Sequence, residues 1–273
     1  MIARIERIMQ EYVAEGYVLT VRQLYYQLVA RDIIPNTERS YKNTVRLVNE
    51  ARLAGLLDWD AIEDRTRGFL KRPSWKSGKE ILESCAAQFH MDMWHDQPCR
   101  LFCIVEKEAL AGVLDRVCRK YDIPLLPARG YPSASVLREF AKAELLNPRQ
   151  RILILHLGDH DPSGIDMTRD LTERLRLLSR RNPFELIRIA LTMDQIEDQE
   201  PPPNPAKTTD SRFADYQMLY GDESWELDAL RPQFLSRLVE EHIAEVIDRQ
   251  RWIARETEIN QIRSRIYDVA EAF

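Results

Sequence analysis

With 273 residues and 44% apolar side chains, the chain can form one large core or two modest ones and is too apolar for a disordered tail. A net charge of −5 gives no general affinity for nucleic acid, no run of 18 apolar residues offers a membrane span, and the amino end lacks a signal-peptide pattern. Four cysteines (Cys85, Cys99, Cys103, Cys118) contain no Cys-x-x-Cys pair, which excludes zinc-ribbon spacing and predicts reduced, buried thiols in a cytoplasmic protein.

Ile2, Ile5, Ile8, Met9, Tyr12 and Val13 recur at helical spacing and stop at Gly16. Thr20-x-x-Gln23 resembles a capping box opening a second helix, with Val21, Leu24, Tyr25 and Leu28 on its buried face. Pro35 and Asn36 break the chain. A third helix follows from about 39 to 53, carrying Tyr41, Val45 and Val48 inward and Lys42, Arg46 and Arg52 elsewhere. Residues 59–67 are short, charged and poorly helical, as a β-wing would be. Three helices and a wing make the winged-helix plan, whose third helix commonly enters the major groove of DNA. Residues 1–80 hold 14 Lys+Arg against 11 Asp+Glu and the rest 25 against 33, so positive charge gathers at this end, notably from Arg65 to Lys79.

Residues 68–80 read as a linker into a connecting helix with Ile81, Leu82, Cys85, Phe89 and Met93 in register. From residue 100 strands and helices alternate: strand 100–105, helix 108–120, strand 123–127, helix 133–146, strand 151–157, helix 163–180 and strand 185–192. Such alternation predicts a mostly parallel α/β sheet. Pro201-Pro-Pro-Asn-Pro205 marks an extended surface segment, and helical density over 231–270 predicts a carboxy-terminal cap. The division expected is therefore 1–75 winged helix, 76–98 linker and connecting helix, 99–200 α/β domain, and 201–273 extended segment and cap.

Two of the predicted strands end in acid. Leu101-Phe-Cys-Ile-Val105 runs into Glu106-Lys107-Glu108, and Ile152-Leu-Ile-Leu-His-Leu157 into Gly158-Asp159-His160-Asp161-Pro162-Ser163-Gly164. Carboxylates at such strand ends, where the chain turns into a helix, can lean towards one cation at the carboxyl edge of a parallel sheet. Glu106, Asp159 and Asp161 are the expected ligands, and hard oxygen donors suit Mg²⁺ or Mn²⁺. Lys107 and Arg129 can neutralise the same acids, so an internal ion-pair cluster is the competing reading. Glu108 and Asp166 are further acids behind these; His156 reads as core and His160 as a flanking residue. Arg129-Gly130-Tyr-Pro-Ser133 closes a strand and opens a helix, where Gly130 permits close backbone approach and free N–H groups suit an anion.

On the second helix Tyr25 shares the apolar stripe, whereas Tyr26 lies about 100° further round and one turn beyond Arg22. That predicts a phenol beside a guanidinium on the less buried face. With a pKa near 10, only about one part in a thousand of a free phenol is ionised at neutral pH, so attack on phosphorus needs a nearby base or cation. A packing role for Tyr26 is the alternative.

Glu106-Lys-Glu, Arg129-Gly-Tyr-Pro and Asp159-His-Asp-Pro-Ser-Gly, in this order, resemble the Toprim domain of the topoisomerase VI A subunit and its meiotic double-strand-break relatives. Arg22-Gln-Leu-Tyr25-Tyr26 resembles the tyrosine motif of the winged helix that precedes Toprim in that family. The likeness covers roughly residues 16–195 and implies an α/β fold: a winged helix, a Rossmann-like Toprim domain and a helical cap, as in small phage- or prophage-type versions. It further implies that Tyr26 joins covalently to a DNA 5′ phosphate, with Arg22 aiding the scissile phosphate. Glu106, Asp159 and Asp161 would hold Mg²⁺, with Lys107, Glu108, Arg129 and Gly130 near the phosphate. Double-stranded DNA is the implied substrate and a homodimer the implied assembly.

The chain departs from the family pattern at Gln23, where an acid is common, and at Arg129, where the usual turn is Lys-Gly. The family's ATP-hydrolysing B-type partner docks on an extension ahead of the winged helix, and this chain starts almost directly at that unit. Trp225-Glu-Leu-Asp-Ala-Leu230 fits the small versions but carries no chemistry that can be assigned from sequence. A hydrolytic Toprim nuclease without a covalent tyrosine intermediate, and a non-catalytic DNA-binding module, stay open as alternatives.

Overall fold

The computed structural model describes residues 1–62, 72–146, 150–180 and 182–273. Apolar spacing builds its first helices. α1 (Ile2–Ala14) buries Ile5, Ile8, Met9 and Tyr12. α2 (Val21–Ala30) opens on the expected capping box, in which Gln23 N–H donates to Thr20 Oγ1 and Thr20 N–H donates to Gln23 Oε1 at 2.8 Å. α3 (Glu38–Leu53) starts from a Thr37 cap. The three helices enclose Ile5, Ile8, Leu24, Leu28 and Val48, and Leu57 and Ile62 close this core from below.

Two expectations on α3 need correcting. The buried stripe runs through Thr44, Val48, Ala51 and Arg52, one helical step away from Val45, which is exposed. Arg52 turns inward because its guanidinium donates to the carbonyls of Trp59 and Ile62, the latter at 2.7 Å, and lies over the Trp59 ring. The expected wing and the start of the linker fall largely on 63–71, outside the described residues. Just ahead of them, Leu19 and Ile62 form a parallel bridge.

The linker ends early, because Ser77 caps α4 (Gly78–Gln88) by accepting from Glu80 N–H at 3.1 Å. This helix packs along α11 (Arg249–Ala270). Its register does not reach Met93 as predicted: the helix stops at Phe89, and Met93 and Trp94 enter the core of the sheet, Trp94 Nε1 donating to Tyr121 O at 2.7 Å. Cys85 is exposed, against expectation, whereas Cys99, Cys103 and Cys118 are buried, and all four thiols are free.

The sheet is wholly parallel in the order β2 (Leu125–Pro127), β1 (Cys99–Val105), β3 (Arg151–Leu157), β4 (Glu185–Ala190). Leu101, Cys103, Val105, Leu153, Leu155 and Leu157 face α5 (Ala111–Lys120) and α10 (Pro232–Val246). Phe102, Ile104, Ile152 and Ile154 face α6 (Ala134–Phe140) and α7 (Pro162–Leu178). Period-two alternation thus divides the two apolar strands between two layers of helix. β4 ends two residues early because Thr192 caps α8 (Met193–Gln199). The proline segment supplies β5 (Asn204–Pro205), paired antiparallel with β6 (Glu223–Ser224) across α9 (Phe213–Tyr220). No described helix is long and apolar enough to cross a membrane.

Leu155, fully buried mid-strand, should cost about 2–5 kcal/mol when cut to alanine, whereas Leu177→Ala, 80% exposed on α7, should stay within about 0.5 kcal/mol. Urea unfolding of the two variants checks both values.

Candidate active site

β1 and β3 are in register from Cys99 opposite Arg151 to Val105 opposite Leu157, so they end level, and Glu106 N–H donates to Leu157 O at 2.9 Å. The acids that follow therefore leave the sheet side by side. Glu106 Oε2 accepts from the Asp159 N–H at 2.9 Å and lies against Gly158 and Gly164, 3.1 Å from where a Cβ at either would sit. A Cβ at Gly164 would also collide with the Asp159 carbonyl, so this close approach requires glycine. Asp161 caps α7, its Oδ1 accepting from Gly164 N–H at 2.6 Å and from the Ser163 hydroxyl at 3.0 Å, with Pro162 at the first helical position. Asp159 turns inward: Oδ1 accepts from Leu227 N–H at 2.8 Å and Oδ2 pairs with Lys107 Nζ at 3.0 Å.

All three acids line one cavity of about 560 Å³, which Arg22, Lys107, Glu108, Arg129 and Gly130 also line. A larger cleft of about 1020 Å³ between α2 and α10 contains none of the three. As cation ligands the acids differ. Glu106 Oε1 and Asp161 Oδ2 accept no hydrogen bond among the described residues, so these two hard donors fit a divalent cation. Both oxygens of Asp159 are taken, and it fits only if Lys107 gives way. Among the described residues no three His, Cys, Asp or Glu side chains form a ready-made metal cluster.

The acids carry the signature of crowding. Burial raises Asp159 to about 7 against the pull of Lys107, and burial raises Glu106 with Asp161 adding to the rise. Burial alone would lower Lys107, but Asp228, Asp159 and Glu226 outweigh it and hold the ammonium charged.

The sequence reading missed the other half of this network. Lys107 Nζ also lies 2.6 Å from Glu226 Oε2 and 3.2 Å from Asp228 Oδ1. Arg22 pairs with the same two acids, through Nη2 to Glu226 and through Nε to Asp228 Oδ2 at 2.9 Å. Burial works to raise Glu226, but Lys107 and Arg22 bring it down to about 2. An acid–x–acid pattern in Trp225-Glu-Leu-Asp, the same spacing as Asp159-x-Asp161, was the available signal.

Tyr26 is not on the less buried face. It is 3% exposed, packed with Tyr25, Val29 and Ala229, because α2 docks onto the short 3-10 turn Leu227–Ala229. The Arg22 guanidinium lies 5.9 Å from its ring centre, as the one-turn spacing predicts. Burial lifts the Tyr26 phenol well above its ordinary range, Glu226 and Asp228 adding to the rise while Arg22 and Asn204 oppose it. Tyr26 does not line the acid cavity.

Arg129 and Gly130 both adopt left-handed backbone, at φ 52° and 88°, and nothing lies within 4 Å of a Cβ at Gly130. That glycine serves the turn itself, not a close approach. Arg129 pairs with Glu108 at the surface. Asp166 is held by the Tyr131 hydroxyl at 2.7 Å and by Arg212 at 3.1 Å, which removes it as a reserve ligand. His156 is core, as read, and donates to or accepts from Thr168 Oγ1 at 3.0 Å. His160 is buried against Tyr216, Tyr220 and Trp225. Behind the turn, the Arg188 guanidinium donates to the carbonyls of Gly158 and Gly164, both at 2.9 Å, and of Asp159. Compared with protein-family models, with curated proteins and with solved structures, the chain matches none.

Asp159 binds its proton more tightly folded, at about 7, than as a free aspartate near 3.8. Its contribution to stability is therefore greatest below about pH 4 and is lost as pH rises to about 7. Without divalent cation, wild type should lose stability relative to Asp159→Asn across that window, by about 1 kcal/mol or more, and the gap should flatten above it. Paired denaturant titrations from pH 4 to 8 measure this. Gly164→Ala should destabilise the fold by about 1–3 kcal/mol, read as a lowered urea midpoint, since the added methyl must displace the Asp159 carbonyl.

Proposed function

We propose that this protein is a divalent-metal-dependent enzyme that cleaves double-stranded DNA by tyrosine transesterification, acting as a homodimer of the winged-helix–Toprim type. The observation that carries this reading is the cavity in which Glu106, Asp159 and Asp161, at the carboxyl ends of β1 and β3, meet Arg22 from α2. Glu106 and Asp161 would hold Mg²⁺ or Mn²⁺ through their unengaged oxygens. When bound, such an ion neutralises charge building on the phosphate oxygens. Arg22 and Lys107 supply fixed positive charge for a phosphate. Tyr26 gives its phenolic proton to solvent water and bonds to phosphorus, the bond from phosphorus to the 3′ oxygen breaks, and that oxygen takes a proton from water as it leaves. The exchange conserves a phosphoester, so the break is reversible in principle.

One observation favours a second reading. Tyr26 is buried and stands outside the acid cavity, which suits a hydrolytic nuclease in which water attacks phosphorus and no adduct forms.

Supercoiled plasmid incubated with the protein and Mg²⁺ or Mn²⁺, then denatured with and without protease, separates the two. Transesterification should leave protein-bound DNA that protease releases, and Tyr26→Phe should abolish both adduct and cutting. Glu106→Gln and Asp161→Asn should each lower cutting about 10²-fold or more. Cutting that survives Tyr26→Phe with free ends would establish hydrolysis, and no cutting with either metal would sink both readings.

A further inference from the structure

Glu226 and Asp228 have no part in the chemistry proposed above, yet they hold its cations. Arg22 meets both: Nη2 hydrogen-bonds Glu226 Oε2, and Nε lies in ion-pair contact with Asp228 Oδ2 at 2.9 Å without hydrogen-bond geometry, so the guanidinium has a donor in reserve for a phosphate oxygen. Lys107 Nζ takes the same Glu226 oxygen at 2.6 Å and the other Asp228 oxygen at 3.2 Å. The next residue, Ala229, covers Tyr26. One short segment between β6 and α10 thus neutralises both cations and shields the phenol.

The segment is tied to the acid turn as well. His160 and Trp225 exchange N–H···O bonds at 2.9 Å in both directions, and Leu227 N–H donates to Asp159. Fastening alone does not call for carboxylates. A fully buried Asp228 between two cations costs desolvation that apolar side chains would avoid. Arg22 and Glu226 also face the 560 Å³ cavity, open to an incoming anion.

We propose that residues 226–229 form an intramolecular latch: their two carboxylates occupy the cation pair that grips a DNA phosphate, and DNA displaces them to reach Arg22 and Lys107 and uncover Tyr26. This rests on the reading of Arg22 and Lys107 as phosphate-binding groups. The exchange replaces carboxylate oxygens with phosphate oxygens at the same two cations, so neither cation is left unpaired. Glu226 and Asp228 move into water, and the contact between α2 and the 227–229 turn opens. The latch makes exposure of Tyr26 conditional on backbone phosphate in the site.

The test uses the full chain, a short DNA duplex and a chelator in place of metal, with binding read by fluorescence anisotropy. Glu226→Gln keeps side-chain shape and leaves Asp228 in place. Glu223→Gln removes the same charge at an exposed position three residues earlier and controls for net charge. Glu226→Gln should tighten binding about ten-fold beyond the Glu223→Gln control, and adding Arg22→Ala should erase the gain. Backbone amides of 21–30 should exchange with deuterium faster in Glu226→Gln than in wild type. Should that variant fail to fold, judged by circular dichroism, Glu226→Asp shortens the reach by one methylene and serves in its place. DNA binding no tighter than the control, or unchanged exchange over 21–30, overturns the latch and leaves the DNA-cleaving reading standing. No DNA binding by any of these proteins overturns that reading and the latch with it.

Discussion

Lys107 follows β1 by two residues, and its ammonium lies within 3.2 Å of carboxylates from two distant stretches of chain, Asp159 after β3 and Glu226 and Asp228 before α10. Each of these acids is buried or half-buried and would be costly there without a cation. The ammonium therefore fixes where the Trp225–Asp228 segment crosses the sheet edge. Arg22 then reads that position: two of its nitrogens pair with Glu226 and Asp228, and α2 settles on Ala229. Remove the ammonium and three acids face one another with only Arg22 between two of them. The placement of the amino-terminal helices over the acid cavity thus joins this ion-pair network to the apolar packing of Tyr25, Tyr26 and Val29 on Ala229.

The scaffold beneath is set by simpler means. Two apolar strands in parallel register must end level, and a parallel sheet needs helices on both faces, so the turns after β1 and β3 emerge together at one edge. Arg188 holds the second turn from behind, one guanidinium meeting the carbonyls of Gly158, Asp159 and Gly164 and the Thr168 hydroxyl. A planar donor fork suits three carbonyls converging from one turn, which a lysine could not match. The turn can therefore carry crowded acids without relaxing outward.

Legibility follows from how local the cause is. The capping box of α2, the strands β1 and β3 and the cap role latent in Asp161-Pro-Ser-Gly depend on neighbours in sequence, and their patterns are visible without coordinates. Where Tyr26 points is different. Helical phase alone puts it beside Arg22, which is correct, but its burial comes from Ala229, some two hundred positions away. Arg52 is misjudged, and Glu226 left unassigned, for the same reason. A charged side chain reads as solvated unless its partner is known, and here the partners are carbonyls of a later turn and cations on other elements. β5, β6 and α9 were missed because two-residue strands and an eight-residue helix carry too little periodicity to register.

Charge counting joins these parts. Glu108 and Arg129 cancel each other at the rim, and Lys207 is exposed there. Inside remain five carboxylates, Glu106, Asp159, Asp161, Glu226 and Asp228, against three cations, Arg22, Lys107 and Arg188. Fully ionised, the cluster carries two negative charges in a poorly hydrated space. Such a deficit is met in one of two ways. Protons can supply it, and burial does raise Glu106, Asp159 and Asp228 towards protonation. A divalent cation between Glu106 and Asp161 would supply the same two charges without them. The two routes meet at Glu106, which burial raises and whose Oε1 is unengaged, so a cation bound there would displace its proton and would bind more tightly as pH rises.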